Sequence, residues 1–263
     1  MGWLSRSSIP LTVLTYHHVG SRAAGVPHPS LTVTTEQFER QMAWLHARGY
    51  STINCQEWLA WGTRAEPLPA KPILITFDDA YADLETTALP VMAKYGFRGV
   101  IFAITGRLGL PTPWDGMATM SLGQLLRCAE RGMEIGCHTR THPDLRMLDA
   151  GELDREIGGS RDDLQKAGLR PISLAYPFGH YNEAARKAAE AEFQLAFTGR
   201  EGRNSRRSAP LEMRRTMVLP CDTGLDFALR VALGWSPIGR VGGWIPARRN
   251  LLRDAGTSHP AQG

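Results

Sequence analysis

Pro72-Ile73-Leu74-Ile75-Thr76-Phe77-Asp78-Asp79 runs from six strand-forming residues directly into two adjacent carboxylates. The stretch predicts a strand that delivers acidic side chains at its carboxyl end. Working outward, the same grammar repeats. Downstream, a helix is expected over 84–95, a strand over 99–104, a helix over 121–131 and a strand over 133–137. The pattern continues with a helix over 150–167, a strand over 172–176, a helix over 182–192 and a strand over 194–197. Upstream, 11–16 reads as a strand and 35–48 as a helix, with Phe38, Met42 and Leu45 at helical spacing behind a Thr/Glu start. After Gly199 the pattern weakens into an Arg/Ser-rich loop, a short strand near Met217 and Val218, and a helix over 225–233. Strands alternating with helices imply βαβ units and a parallel sheet. His17, Asp78, Asp79, His138 and Pro177 each follow a predicted strand, so their shared address is one rim, which selects a closed barrel over an open sheet.

A length of 263 residues accommodates one such barrel, and 43% hydrophobic with 21% charged residues is the balance of a folded globular chain, not a disordered one. We expect the barrel to occupy residues 1–234 and residues 235–263, rich in Gly, Pro and Arg, to form a poorly ordered tail. The net charge of +4 does not point to nucleic acid, because Arg203, Arg206, Arg207, Arg214 and Arg215 come without an interleaved aromatic module and read as a solvated loop. Cys55, Cys128, Cys137 and Cys221 lie far apart with no C-x-x-C pair, which favours reduced, buried thiols. No apolar run approaches a membrane span and the amino terminus lacks an export-signal pattern, so a cytoplasmic location, with peripheral membrane attachment left open, is the expectation.

About sixty residues after the paired aspartates comes His138-Thr139-Arg140-Thr141-His142. One carboxylate and two imidazoles make a three-ligand set for a zinc-like cation that leaves a position for water, and the second aspartate is then free to act as a base. Each motif alone is ambiguous: adjacent acids also build turns, and histidines four apart also occur on solvated helices. Thr139 stands where a metalloprotease H-E-x-x-H motif has its glutamate, which removes that reading.

Thr76-Phe77-Asp78-Asp79, His138 through His142, and Tyr176-Pro177-Phe178-Gly179 resemble, in order and spacing, the first three motifs of the polysaccharide deacetylases, carbohydrate esterase family 4, whose catalytic unit is the NodB homology domain. The opening Thr15-Tyr16-His17-His18-Val19 and the helix through Trp44 look like the branch acting on poly-β-1,6-N-acetylglucosamine. The resemblance implies a distorted (β/α)7–8 barrel that removes N-acetyl groups from amino sugars. It implies Asp79, His138 and His142 as metal ligands and Asp78 as general base. The implied cation is divalent, most simply Zn2+, with Co2+, Ni2+, Mn2+ or Fe2+ also accepted by such a set. The implied partner is an N-acetylated amino-sugar glycan or its precursor; oligomeric state is not legible.

Two departures stand out. The family's late Leu-His element, which supplies the general acid, has no counterpart, and His17 is the natural replacement because it follows a strand on the same rim. The arginine usual before the third motif is absent, Ala175 and Tyr176 standing there, and Arg215 is the candidate to orient Asp78 in its place. The turn at Tyr176, Pro177, Phe178 and Gly179 is expected to contact substrate, with the Phe178 N–H as an oxyanion donor. Trp114 in a loop is a candidate sugar contact, whereas Trp44, Trp58 and Trp61 fit helix packing. Rival readings are hydrolysis of a small amide on the same barrel, or a carbohydrate-binding relative that has lost catalysis.

Overall fold

The computed structural model describes residues 9–21, 31–64 and 66–237. The expected tail therefore falls outside the described residues from 238 onward, as does the amino terminus before residue 9.

Seven parallel strands form one curled sheet in the order Thr216–Met217, Thr12–Tyr16, Pro72–Phe77, Val100–Ala103, Glu134–Cys137, Ser173–Ala175, Leu195–Phe197. Ser51–Thr52 adds a short pairing beside Pro72–Phe77. The two edges of the sheet meet through one segment: Met213 bridges Phe197, and Thr216 and Met217 pair with Leu14 and Thr15. That is the distorted barrel expected from the sequence, its edges joined by the two-residue strand Thr216–Met217.

Strand pleating sorts side chains into two layers. Leu11, Val13, Leu74, Val100, Phe102, Ala175, Leu195 and Phe197 fill the interior, with Trp58 and Trp61 packed among them. Leu14, Tyr16, Ile75, Phe77, Ile101, Ala103, Cys137, Leu174 and Tyr176 face outward onto the helices. Continuing the inner register past each strand end puts His17, Asp78 and His138 at the mouth. Cys137 therefore faces away from its neighbour His138.

Helix starts follow from local chemistry. Thr34 accepts from the Gln37 amide, and Ser121 and Thr223 each form a reciprocal capping box. One expected helix is interrupted. In place of a single helix over 84–95 the chain makes a 3₁₀ turn at Ala82–Glu85 and restarts as Ala88–Lys94. Pro90 explains the break, because a residue without an N–H is accommodated only in the first turn of a helix.

The arginine-rich loop is solvated as expected at Arg203, Arg206, Arg207 and Arg214, and departs from that only at Arg215. Arg206 donates to the Trp61 carbonyl at 2.7 Å and lies over its ring, and Arg215 is buried. All four cysteines are free; Cys221 is exposed, contrary to the expectation of buried thiols, whereas the other three are buried. No helix among the described residues is long and apolar enough to cross a membrane.

Candidate metal centre and active site

The barrel mouth brings Asp79, His138 and His142 together, their nearest ligand atoms all within 4.8 Å of one another. Asp79 Oδ1 lies 3.6 Å from His138 Nε2 and 3.7 Å from His142 Nε2. Two ligands each about 2.0–2.1 Å from one tetrahedral cation are separated by about 3.4 Å, so the spacing fits a shared ion. Asp79 Oδ1 is buried with no hydrogen-bond partner, a costly arrangement for a carboxylate that a cation would relieve. Burial, reinforced by the neighbouring Asp78 charge, pushes the Asp79 carboxyl well above the usual range. Burial lowers both His138 and His142, which keeps them in the neutral form that ligation requires. His138 Nδ1 is engaged by the Ala175 carbonyl at 2.7 Å, which leaves Nε2 for the centre. Charge, tautomer and spacing all suit a divalent cation.

Backbone strain concentrates here. The non-glycine residues with positive φ among those described are Asp79 (69°), Ala80 (51°), Thr139 (64°), His142 (66°) and Phe178 (57°), all in the three mouth loops. The histidine loop is held by groups that the sequence did not advertise. Glu156 accepts from the Arg140 and Thr141 amides at 3.0 and 2.9 Å and from the Thr141 hydroxyl at 2.7 Å. It sits in a single π-helical turn, Asp154–Gly158, inside an otherwise α-helical segment. Such a turn is a known companion of functional sites, yet it leaves no sequence signature.

Asp78 lies beside the ligand set and accepts a 2.7 Å bond from Arg215 Nη1, both side chains being about 95% buried. Burial alone would raise the Asp78 carboxyl, but the positive charge of Arg215 leads the opposing contributions and brings it down to about 2. Arg215 is itself fixed by an Nε bond to the Thr198 carbonyl at 3.2 Å and by the faces of Phe102 and Phe197.

His17 continues the first strand opposite Asp78, since Tyr16 pairs with Phe77 and the Asp78 amide donates to the Tyr16 carbonyl at 3.0 Å. Burial lowers His17 to about 4, partly opposed by the Asp78 charge. His18 points to the other side of the strand, where it meets Asp83 and Thr32.

The third motif divides. Tyr176 turns outward, fully buried, with its hydroxyl on the Leu211 carbonyl at 3.1 Å, so its side chain is structural and does not face the mouth. Pro177 is buried and Phe178 stands at the rim, its ring 4.6 Å from that of His142. Gly179 is obligatory: its φ is 68° and a Cβ there would lie 2.2 Å from the Gly199 amide nitrogen.

One further buried group, Tyr81, was missed by sequence reasoning. Tyr81 donates to Asp115 at 2.6 Å, and Asp115 faces both Asp79 and His17 electrostatically. An aspartate after Trp114 was visible, but nothing local announced its partner.

The comparisons with known proteins point to one family. The Polysaccharide deacetylase family model matches residues 65–195, a span that contains all three proposed ligands. YxkH of Bacillus subtilis (strain 168), a protein assigned to the polysaccharide deacetylases, is 32% identical over 219 residues, covering 82% of this chain and 74% of its own. The Escherichia coli (strain K12) poly-beta-1,6-N-acetyl-D-glucosamine N-deacetylase is 28% identical over 87 residues, 33% of this chain and 13% of its own. The deacetylase PplD of Streptococcus pyogenes, solved with acetate, superposes with TM-score 0.73 at 27% identity over 81% of this chain and 94% of its own. IcaB from Ammonifex degensii shares the fold, with TM-score 0.74 at 23% identity over 86% of this chain and 97% of its own. The chain thus belongs to the polysaccharide deacetylases, hydrolases of carbon–nitrogen bonds other than peptide bonds.

Proposed function

We propose that the protein is a metal-dependent N-deacetylase that releases acetate from an N-acetylated amino sugar within a polysaccharide or its precursor. The observation that carries this reading is the Asp79, His138 and His142 cluster beside a second carboxylate, Asp78, held ionised by Arg215. Members of the family are generally metal-dependent, and the donor set here is of the zinc type. When bound, a divalent cation supplies Lewis-acid activation of a water and of the acetamide carbonyl.

The remaining chemistry belongs to the chain. Asp78, locked by Arg215, takes the proton of the attacking water. The Phe178 N–H, presented by the strained turn, stabilises the negative charge that develops on the carbonyl oxygen. His17, across from Asp78, protonates the departing amine. The Asp78 charge favours the protonated imidazole of His17 and partly offsets its burial. The glycan assignment is supported by the name of the Escherichia coli relative, which places that protein's activity on poly-β-1,6-N-acetyl-D-glucosamine.

The test is acetate release from a β-1,6-linked N-acetylglucosamine oligomer by zinc-loaded protein, alongside Asp78→Asn, His17→Ala and His138→Ala. All three variants should be strongly impaired. Full activity in Asp78→Asn or His138→Ala would overturn the assignment.

A further inference from the structure

The two histidines of the proposed centre are held by different means. His138 is oriented by a hydrogen bond from Nδ1 to the Ala175 carbonyl, whereas His142 Nδ1 is buried with no hydrogen-bond partner on another residue. A ligating histidine ordinarily has its second nitrogen engaged, because that bond sets the ring's tautomer and direction. Apart from its own backbone, no polar group aims the His142 ring. Its neighbours are aromatic: Trp114 at 4.7 Å between ring centroids, Phe178 at 4.6 Å and His138 at 4.8 Å.

Of the two neighbours that are not themselves proposed ligands, Trp114 is the anchored one. Phe178 is 37% exposed at the rim. Trp114 sits in a hairpin closed by the Pro111–Ala118 bridge and tied to the ligand loop by the Tyr81–Thr119 bridge. Its indole Nε1 donates to the Tyr81 hydroxyl at 3.1 Å, and that hydroxyl donates to Asp115 Oδ2 at 2.6 Å. Asp115 Oδ1 accepts from the Met117 amide at 3.0 Å and from the Thr112 hydroxyl. Tyr81 lies two residues after Asp79, so a single hydroxyl joins the loop that carries the carboxylate ligand to the indole that packs on an imidazole ligand.

We propose that Trp114 is the positioning residue for His142, aromatic packing taking the place of a hydrogen bond from another residue, and that Tyr81 and Asp115 lock it in register. This inference rests on the metal-centre reading above. Its consequence is that metal affinity depends on a tryptophan that never touches the ion. Loss of an outer partner of a metal-ligating histidine typically costs about 10–100-fold in affinity.

The experiment is a titration of chelator-stripped full-length protein with Co2+, followed by visible absorption, for the wild type and Trp114→Ala, Trp114→Phe and Tyr81→Phe. Cobalt affinity should fall about 10–100-fold in Trp114→Ala, with altered intensity of the ligand-field bands. Trp114→Phe retains a ring without the indole donor, and Tyr81→Phe removes only the hydroxyl; both should fall between wild type and Trp114→Ala. Metal-free melting of each variant separates lost folding from lost ligand aim. Wild-type affinity and spectrum in Trp114→Ala overturn the proposal. If that variant fails to fold, wild-type values in both Trp114→Phe and Tyr81→Phe overturn it instead. A wild-type protein that takes up no cobalt removes the metal-centre reading, and this inference with it; normal wild-type uptake with indifferent variants removes this inference alone.

Discussion

Arg215 Nη1 donates a 2.7 Å hydrogen bond to Asp78 Oδ1, a residue 137 positions earlier in the chain. The bond joins the residue just before Thr216–Met217 to the residue just after Pro72–Phe77, and both partners are shielded from water. A guanidinium in that position holds a buried carboxylate ionised and pointed, which is what a base needs.

Removing Arg215 should therefore move the acid limb of the activity profile. Without the positive charge, burial is no longer outweighed and the Asp78 pKa rises from about 2. Arg215→Gln is expected to shift the lower pH limb of kcat/KM upward, with Arg215→Lys intermediate. Stability should fall too, since breaking a buried ion pair costs about 3–5 kcal/mol. Activity–pH profiles and thermal melts of the three proteins check this, and an unmoved acid limb would refute the role given to Arg215.

Asp79 predicts a pH dependence of the metal-free protein. Its folded-state carboxyl sits above the unfolded value, first through burial and then through Asp78. The folded state thus binds the proton more tightly than the unfolded one, and stability declines as pH rises from about 3.9 toward the folded value. Asp79→Asn deletes the buried charge. The stripped variant should melt higher than stripped wild type at neutral pH and lose the stabilisation that added zinc confers, about 2.7 kcal/mol at one hundred times the dissociation constant. Zinc stabilisation surviving intact in Asp79→Asn would exclude it as a ligand.

Gly136 lies two residues before His138 on the inner face of its strand. A Cβ there would stand 2.5 Å from Phe102 Cε1 and 2.9 Å from Ser173 Oγ. Gly136→Ala should cost about 1–3 kcal/mol by overpacking. Because Arg215 lies over Phe102, activity should fall further than folding does. Urea unfolding alongside turnover measurements compares the two losses, and retention of full turnover would show that Phe102 tolerates displacement.

Cys137 adjoins a proposed ligand yet packs outward, its thiol pushed up to about 12 by burial. Cys137→Ala is expected to leave zinc affinity unchanged while lowering the melting temperature modestly through lost packing. A tenfold loss of affinity, read by competition with a chromogenic chelator, would mean that the thiol reaches the centre after all.

Much of the architecture was legible because it is written in contiguous stretches. Six residues, five of them apolar, ending in two acids specify a strand and the loop it feeds, and the alternation around it specifies a parallel sheet. The break before Ala88 escaped because helical periodicity over 84–95 outweighed Pro90, although an imino acid inside the pattern was the available warning. Tyr176 was grouped with its motif neighbours as a substrate contact; strand alternation, carried one residue beyond Ala175, already turned it outward.

The sequence by itself determined which residues stand at strand ends and which faces they take, because pleat and helical periodicity are local properties of the backbone. Only the tertiary structure decided who meets whom. Arg215 reaches Asp78 because the segment from Met213 to Met217 fills the gap between the first strand and Leu195–Phe197. Trp114, Tyr81 and Asp115 converge because one hairpin folds back over the carboxylate loop. Glu156 clamps the histidine loop across a helical turn. Each is a buried polar or aromatic side chain whose partner is set by closure of the barrel, and closure is a property of the whole chain.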